Sequence, residues 1–196
     1  MGREIIFATH NLKKVEEVRS LLGSYWSVLS LEDLNYFDEI PEDGATFQKN
    51  AAIKANFVSK KFNINCFADD SGLNVDVLNG EPGIYSGRYA GEPRCDVRNI
   101  QLLIKNMNGL HNRSAAFVTC ICLHLNGNEY FFEGKVTGEI LLQPAGKNGF
   151  GYDPVFKPNG YTQSFAEMGK HQKNEISHRA IAVNKLVDFL NNYAGI

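Results

Sequence analysis

Two adjacent carboxylates, Asp69 and Asp70, follow an apolar run in the stretch FADDSGLNVDVLNGEPGIYSGRYAG, which covers residues 67–91. Because side chains alternate between the two faces of a strand, adjacent aspartates on a regular strand point to opposite sides. One of them then faces the interior, where an unpaired carboxylate is very costly. We therefore expect the strand to end at Ala68 or Asp69, with Gly72 helping the chain to turn. Both carboxylates would then lie at a sheet edge, near a positive group.

The chemistry that suits such a pair is the binding of a hard divalent cation. Mg²⁺ takes oxygen ligands and is usually held by one or two carboxylates together with substrate phosphates. Asp69 and Asp70, with Glu42 from a loop upstream, supply ligands of this kind. Two close carboxylates also repel each other, which raises a pKa and favours a role as a base. An Asx-turn at a strand end explains one aspartate without any function, but it does not explain both followed by Ser71-Gly72.

Two further clusters lie at the starts of helices. The stretch THNLKK, from Thr9 to Lys14, joins a strand to a helix, and backbone N–H groups at a helix N-terminus favour anions. The stretch EDGATFQKNAAIKA places Asn50 and Lys54 four residues apart, on one face of a helix. Taken alone, each cluster is better explained as an ordinary capped helix with solvated lysines.

Two more clusters contain groups that suit a purine nucleotide. The stretch GFGYDP offers Phe150 and Tyr152 on a loop with flexible glycines, where a base can stack. The stretch KNEISHR gives Lys173, His178 and Arg179 just before a C-terminal helix. These three side chains donate hydrogen bonds that suit phosphate and the carbonyl oxygens of a base.

Known phosphate-binding and zinc patterns do not match this chain. The stretch PAGKNG has Asn148 where a P-loop requires Ser or Thr, and Leu141 where its first glycine belongs. The stretch GFGYDP has Pro154 where the dinucleotide fingerprint requires its third glycine. The five histidines include no HExxH motif and no close pair, which argues against a zinc hydrolase.

Periodicity predicts the elements that position these clusters. We expect strands at EIIFAT, WSVLSL and INCFAD, and helices at NLKKVEEVRSLLG, FQKNAAIKANFVSKKF, DVRNIQLLIKNMNG and ISHRAIAVNKLVDFLNNY. Thr46 is the expected N-cap of the second helix. The stretches SAAFVTCICLHL and EYFFEGKVTGEI flank Asn126-Gly127, which predicts a β-hairpin. The sequence therefore predicts an α/β fold, in which helices flank a mixed sheet with an antiparallel extension.

Composition limits the classes of function. The chain has 196 residues and a formal net charge of −2, which fits one soluble domain over residues 1–196 and no nucleic-acid or membrane partner. No apolar run approaches the roughly 20 residues of a membrane span, and the first residues lack a secretory pattern. The four cysteines form no CxxC pair. Thiols without a disulfide framework indicate a reducing environment, so we expect a cytoplasmic protein.

Together and in this order, the five clusters resemble the inosine/xanthosine triphosphate pyrophosphatase family. ADDSGL and GFGYDP are uncommon strings, and the resemblance runs from THNLKK to ISHR, over nearly the whole chain. It implies a two-lobed α/β fold with a deep cleft, a homodimer, and Mg²⁺-dependent hydrolysis of ITP, dITP and XTP to the monophosphate and pyrophosphate. That activity would keep aberrant purine nucleotides out of DNA and RNA.

The resemblance also implies roles for individual residues. Glu42 and Asp70 would bind the metal, and Asp70 would be the catalytic proton acceptor. The residues implied to bind substrate are Thr9, His10, Asn11, Leu12, Lys13, Lys14, Ser71, Phe150, Gly151, Tyr152, Asp153, Lys173, His178 and Arg179. Donors such as His178 and Arg179 would donate to the carbonyl at the six-position of inosine, and a pocket lined by them would disfavour the amino group of adenine. Whether Asp70 removes a proton or only orders the metal stays open.

The sequence departs from the family pattern at two positions and leaves two other functions open. Many members have glycine where His10 stands, so this chain has a bulky side chain in its phosphate loop; many have alanine where Gly87 stands. A domain that binds or senses purine nucleotides without hydrolysis is the main alternative, although binding alone would be easier without clustered negative charge. A general Mg²⁺-dependent phosphatase is the other.

Overall fold

The structure is a computed structural model that describes residues 3–22 and 26–193. Its strands are β1 (Arg3–Phe7), β2 (Trp26–Leu29), β3 (Cys66–Val75), β4 (Ser114–Leu125), β5 (Asn128–Ile140) and β6 (Phe156–Pro158). Its helices are α1 (Leu12–Leu22), α2 (Phe47–Phe62), α3 (Asp96–Asn106), α4 (Lys170–Ile176) and α5 (His178–Asn192). The predicted strands, hairpin and four long helices are confirmed, whereas α4 was not predicted.

The strands form a mixed sheet in the order β2-β1-β3-β4-β5-β6. Strand β1 pairs in parallel with both β2 and β3, and β5 pairs antiparallel with β6. Asn126 and Gly127 both have positive φ, 50° and 80°, as the tight turn between β4 and β5 requires. The predicted fold class, a mixed sheet with flanking helices, is confirmed.

The chain divides into two compact units. Unit 1 comprises residues 1–70, 119–134 and 179–196, and unit 2 comprises residues 71–118 and 135–178. Strands β3, β4 and β5 and helix α5 contribute residues to both units.

Unit 1 has an apolar cluster on each face of its strands. On one face, Phe67 stacks on Phe7 with ring centroids 4.5 Å apart, beside Val15 and Val18 of α1 and Val183 of α5. The other cluster contains Cys66, Ala8 and Ala68 together with Ala51, Ala55 and Val58 of α2. Successive residues of β3 therefore alternate between two faces: one face packs against α1 and α5, and the other packs against α2.

Unit 2 has its own core, built on aromatic rings. Phe117 of β4 packs edge-on against Phe156 of β6 with centroids 4.7 Å apart, and Phe165 lies 5.2 Å from Phe156. Leu103 and Met107, at the end of α3, are buried in the same cluster. This core supports the loop that contains the GFGYDP motif.

The prediction that the third strand ends at Ala68 or Asp69 is wrong. Strand β3 continues through both aspartates to Val75, and Gly72 is a buried residue within it. The expected cost of an inward carboxylate does not arise, because each aspartate has polar partners on its own face of the strand.

Helix α2 begins where the sequence predicts. Thr46 is in an extended conformation, and its side chain accepts a hydrogen bond from Lys49 N at 3.1 Å. The helix ends at Phe62, after which Asn63 has a φ of 52°. This helix buries the Asn50 and Lys54 side chains in the interior of unit 1.

Within the described residues, every helix is too short or too polar to cross a membrane.

Candidate functional site

Asp69 lies on the face of β3 that packs against α1 and α5, and it is 1% exposed. Its Oδ1 accepts a hydrogen bond from Lys14 Nζ at 2.9 Å, and its Oδ2 lies 3.6 Å from Arg179 Nε. Burial acts to raise the pKa of Asp69, but the charges of Lys14, Arg179 and Lys54 outweigh it and hold the pKa well below its ordinary range. This carboxylate is therefore ionised at any pH near neutrality.

Asp70 lies on the opposite face of β3, toward α2, and is also buried. Its Oδ2 accepts a hydrogen bond from Asn50 Nδ2 at 2.9 Å. Burial raises the pKa of Asp70, and repulsion by Glu42 adds to the rise, while Lys54, Lys14 and the Asn50 hydrogen bond only partly oppose it. Two adjacent carboxylates thus have pKa values displaced in opposite directions.

Glu42 is held near Asp70 by α2. Its carboxylate is ion-paired with Lys54, which is one helical turn after Asn50. The loop that contains Glu42 is also attached to α2 by a hydrogen bond from Gly44 N to Asn50 Oδ1 at 2.8 Å. A Cβ at Gly44 would lie 2.6 Å from that oxygen, so the approach of loop and helix requires glycine.

Lys54 and Lys14 are the two lysines nearest to the carboxylates. Burial acts to lower the pKa of Lys54, but Glu42, Asp69 and Asp70 raise it above its ordinary value. Burial lowers the pKa of Lys14, and Lys54 and Arg179 add to this effect, which Asp69 and Asp70 only partly offset. Together with the buried Arg179, these lysines place three basic groups around the aspartate pair.

The stretch from Thr9 to Lys14 forms the capped start of α1. Asn11 Oδ1 accepts from Lys14 N at 3.3 Å, and Thr9 Oγ1 accepts from Asn11 N at 3.2 Å. Leu12 and Lys13 are exposed, whereas Thr9 is buried. The capped-helix explanation is therefore correct for the backbone, although Lys14 turns inward to Asp69 rather than to solvent.

His10 is exposed and packs on the loop that follows β2. Its ring lies 6.0 Å from the ring of Tyr36, and its Nε2 donates to the carbonyl of Asp38 at 3.0 Å. The bulky side chain at this position is therefore directed onto Tyr36 and Asp38.

In unit 2, Asp153 organises the GFGYDP loop. Its Oδ2 accepts from Phe150 N and from Lys173 Nζ, both at 2.8 Å, and Lys173 Nζ lies 5.2 Å from the centre of the Phe150 ring. Gly149 has a φ of 75°, and a Cβ there would lie 2.0 Å from Asp153 Oδ2. Gly151 N donates to Asp96 Oδ2 at 2.7 Å. The predicted residues Phe150, Asp153 and Lys173 thus lie together.

The two aromatic residues of this loop differ in their surroundings. Tyr152 is 3% exposed and packs in the core of unit 2, where its hydroxyl donates to the carbonyl of Ser86 at 3.0 Å. Burial raises its pKa far above the ordinary value. Phe150 is partly exposed. Of the two rings, Phe150 is the one accessible to a ligand.

His178 and Arg179 are the first residues of α5, and both are buried. The His178 ring stacks on Phe117 with centroids 4.6 Å apart and an interplanar angle of 7°. The Phe165 ring also lies near the His178 ring, with centroids 6.5 Å apart. The Arg179 side chain belongs to unit 1, where its Nη1 is ion-paired with Glu17.

Among the described residues, no group of three or more His, Cys, Asp or Glu side chains is arranged to hold a metal. Glu42 and Asp70 nevertheless offer two carboxylates, each fixed by a side chain of α2. Ser71 directly follows Asp70 in β3 and is partly exposed.

Several residues that shape the site were not predicted from the sequence. Glu17 lies three residues after Lys14, on the same face of α1, and this spacing is a signal that could have identified it. Asp69 was predicted to supply a metal ligand together with Asp70 and Glu42, but it contacts the basic groups of Lys14 and Arg179. No sequence signal marks Phe117, which belongs to an apolar strand, as the residue that stacks on His178.

Comparisons with known proteins agree over nearly the whole chain. A family model described as the Ham1 family matches residues 5–189. The dITP/XTP pyrophosphatase of Flavobacterium johnsoniae is 47% identical over 187 residues, which cover 95% of this chain and 97% of that protein. The dITP/XTP pyrophosphatase of Christiangramia forsetii is 46% identical over 187 residues, with 95% and 98% covered. The solved Ham1 protein of Staphylococcus aureus matches with a TM-score of 0.88 and 39% identity, over 96% of this chain and 98% of that one.

Proposed function

Because the chain belongs to the Ham1 family, we propose that it hydrolyses noncanonical purine nucleoside triphosphates to the monophosphate and pyrophosphate. ITP, dITP and XTP are the proposed substrates, in agreement with the names of the relatives. One observation carries the proposal: the aspartate pair on β3, with Glu42, lies among Lys14, Lys54 and Arg179. Such a combination of carboxylates and basic groups suits a polyphosphate with its metal.

We propose Mg²⁺ as the cofactor, held by Glu42 and Asp70. The donor set fits this ion, because Mg²⁺ is usually bound by one or two carboxylates and completes its shell with substrate phosphates and water. Burial raises the pKa of Asp70 and repulsion by Glu42 adds to the rise, and a bound cation would relieve this repulsion. When bound, the ion would offset the charge that develops on the pyrophosphate leaving group.

The residues of unit 1 have distinct proposed roles. The capped start of α1, Thr9 to Lys14, would bind the triphosphate through backbone N–H groups and the Lys14 ammonium group. Lys54, paired with Glu42, would stabilise charge on the phosphates. Asp70 would accept the proton of the attacking water or orient that water, and its raised pKa suits a group that takes up a proton.

The other predicted substrate-binding residues would recognise the nucleoside. Phe150 would stack on the base, while Asp153 and Lys173 hold its loop. His178 and Arg179 would donate to the carbonyl at the six-position. Ser71 and Gly151 would contact other parts of the nucleotide. Adenine presents an amino group at this position, which cannot accept from these donors, and each hydrogen bond lost in this way costs about 1–3 kcal/mol, or roughly tenfold in rate.

We also propose that residues 1–196 act as one catalytic domain, that the protein is a homodimer, and that it works in the cytoplasm. The relatives match over nearly their full length, which supports a single domain. All four cysteines are free, as expected in a reducing compartment.

Pyrophosphate release from a panel of nucleotides tests the proposal. With Mg²⁺, the purified protein should release pyrophosphate from ITP, dITP and XTP at least about tenfold faster than from ATP. A chelator should abolish the reaction, and added Mg²⁺ should restore it. Equal rates for ITP and ATP, or orthophosphate as the first product, would refute the assignment. Tight nucleotide binding without product would instead favour a binding domain.

A further inference from the structure

Asp69 and Glu17 enclose two basic side chains in unit 1. Asp69 binds Lys14 Nζ at 2.9 Å and lies 3.6 Å from Arg179 Nε, and Glu17 pairs with Nη1 of the same guanidinium. We call these four residues, Lys14, Glu17, Asp69 and Arg179, the anchor cluster. Its two positive and two negative side chains come from α1, β3 and α5. The cluster thus connects three elements that are distant in sequence.

Asp69 lies at the centre of the anchor cluster and is closed off from ligands. Its side chain is 1% exposed, whereas that of Lys14 is 13% exposed. Lys14 ends the loop that we propose to bind the triphosphate, and Arg179 is proposed to bind the base. Any effect of Asp69 on a bound nucleotide must therefore pass through these two neighbours.

We propose that Asp69 is a positioning residue that fixes Lys14 and Arg179 together, and that Glu17 assists by holding the far end of the guanidinium. This inference rests on the proposed function and assigns to Asp69 a role distinct from that of Asp70. Lys and Arg are long side chains with much rotamer freedom. Because their buried counter-ions order them in the folded protein, that entropy is lost on folding rather than on nucleotide binding. Tighter binding of the substrate is the consequence.

The geometry also explains why two counter-ions are needed. Arg179 is 3% exposed, and a buried guanidinium requires acceptors on more than one side. Asp69 approaches its Nε edge and Glu17 approaches Nη1, so the plane of the group is held from two directions. A carboxylate on one edge alone would hold the guanidinium plane less firmly than carboxylates on two edges.

The experiment compares ITP saturation curves of the wild type, Asp69→Asn and Glu17→Gln, with Mg²⁺ present and pyrophosphate release as the readout. Asp69→Asn should raise KM for ITP by roughly tenfold to hundredfold, as expected when a partner that orients a ligand-binding group is removed. Glu17→Gln should raise KM by roughly threefold to tenfold, because it holds only one of the two cations. The matched control is Asp33→Asn, which removes an exposed carboxylate in the loop after β2. This carboxylate is paired at 2.9 Å with Arg19, which lies on α1 as Lys14 and Glu17 do. Its KM should stay within about twofold of the wild type.

A double-mutant cycle separates positioning from a purely structural role. If Asp69 acts through Lys14 as well as through Arg179, then Asp69→Asn should lower kcat/KM by a smaller factor in the Lys14→Met background than in the wild type, because only the effect through Arg179 is left. A structural role alone would reduce the amount of active enzyme at unchanged KM, with a parallel fall in Tm.

Each outcome supports or contradicts the positioning role of Asp69. Unchanged KM in folded Asp69→Asn, or losses that simply multiply in the cycle, would overturn the inference. Should Asp69→Asn fail to fold, Glu17→Gln decides, because an unchanged KM for that variant is equally contrary to the proposal. A wild type that turns over ITP while both variants keep its KM refutes only the inference, whereas a wild type without pyrophosphate release refutes the proposed function and the inference with it.

Discussion

The two faces of β3 shift the pKa of an aspartate in opposite directions. Toward α1 and α5, Asp69 contacts two basic side chains, and its pKa is lowered. Toward α2, Asp70 contacts the neutral amide of Asn50, and its pKa is raised. Both aspartates are buried, so the difference between their pKa shifts comes from the groups that each one contacts and not from how deeply each is buried.

This difference indicates how one strand can supply two functions from neighbouring positions. A carboxylate matched by basic groups keeps its charge and stabilises the fold, whereas a carboxylate with a neutral partner and a nearby acid can exchange a proton or accept a cation. Strand alternation separates the two environments by a single residue. Each half of the comparison can be tested by the same chemical change, Asp to Asn, at adjacent positions.

The largest effect should come from Asp70→Asn, measured as pyrophosphate release from ITP. The change removes the proposed proton acceptor and a metal ligand, so we expect turnover to fall by about a thousandfold or more. Circular dichroism and Tm should show a folded protein. Activity within about tenfold of the wild type would mean that Asp70 is not the catalytic carboxylate.

Asp69→Asn should produce the largest loss of stability. Removing one partner of a buried ion pair leaves Lys14 and Arg179 less compensated, and we expect the free energy of unfolding at pH 7 to fall by about 3 kcal/mol. Asp70→Asn is the matched control and should leave the stability unchanged or raise it by about 1 kcal/mol, because Asp70 is a destabilising charge in the folded protein. Urea denaturation of both variants measures the difference.

The pH dependence of unfolding should separate the two aspartates further. Because the folded-state pKa of Asp69 is lowered, its contribution is complete above the ordinary value near 4 and is lost as the pH falls through the folded value. For Asp70 the folded pKa is raised, so the cost of its charge appears as the pH rises from about 4 through that raised value. The same sign of pH dependence for both differences from wild type would break the comparison.

A smaller effect should follow from Gly44→Ala, which acts on the α2 side alone. The new Cβ would lie 2.6 Å from Asn50 Oδ1 and displace the loop that contains Glu42, so we expect a loss of about 1–2 kcal/mol in unfolding free energy. We also expect a raised requirement for Mg²⁺, measured by titrating the ion in the pyrophosphate assay. Gly169→Ala is the control, because nothing lies within 4 Å of a Cβ built there. An unchanged Mg²⁺ titration for Gly44→Ala would argue against Glu42 as a metal ligand.

Local patterns were sufficient for most of the secondary structure. The start of α2 follows from Thr46, and the hairpin follows from Asn126-Gly127 between two β-rich runs. These signals act within a few residues, so they can be recognised without knowledge of the fold. Helix α4 was missed because its seven residues, KHQKNEI, are mostly polar and have little apolar periodicity.

Partners distant in sequence explain what could not be predicted. The strand was expected to end at the aspartate pair because a buried carboxylate is costly, but Lys14 lies 55 residues away from Asp69 along the chain. The inward Tyr152 depends on Ser86, 66 residues upstream. The aspartate cluster was identified as a candidate site from residue types alone, but the separate roles of its two members depend on the faces of a strand whose extent was not foreseen.

Asn50 has a consequence that reaches beyond its own hydrogen bonds. The nitrogen of its amide faces Asp70 and the oxygen faces Gly44 N, so the two ends of one small planar group cannot be exchanged without setting like against like. The planar amide of Asn50 therefore acts as a spacer with a donor end and an acceptor end, and it sets the distance from the Glu42 loop to β3 without any bound ion. An aspartate at position 50 would have nearly the same shape, yet it would turn this spacer into a source of repulsion.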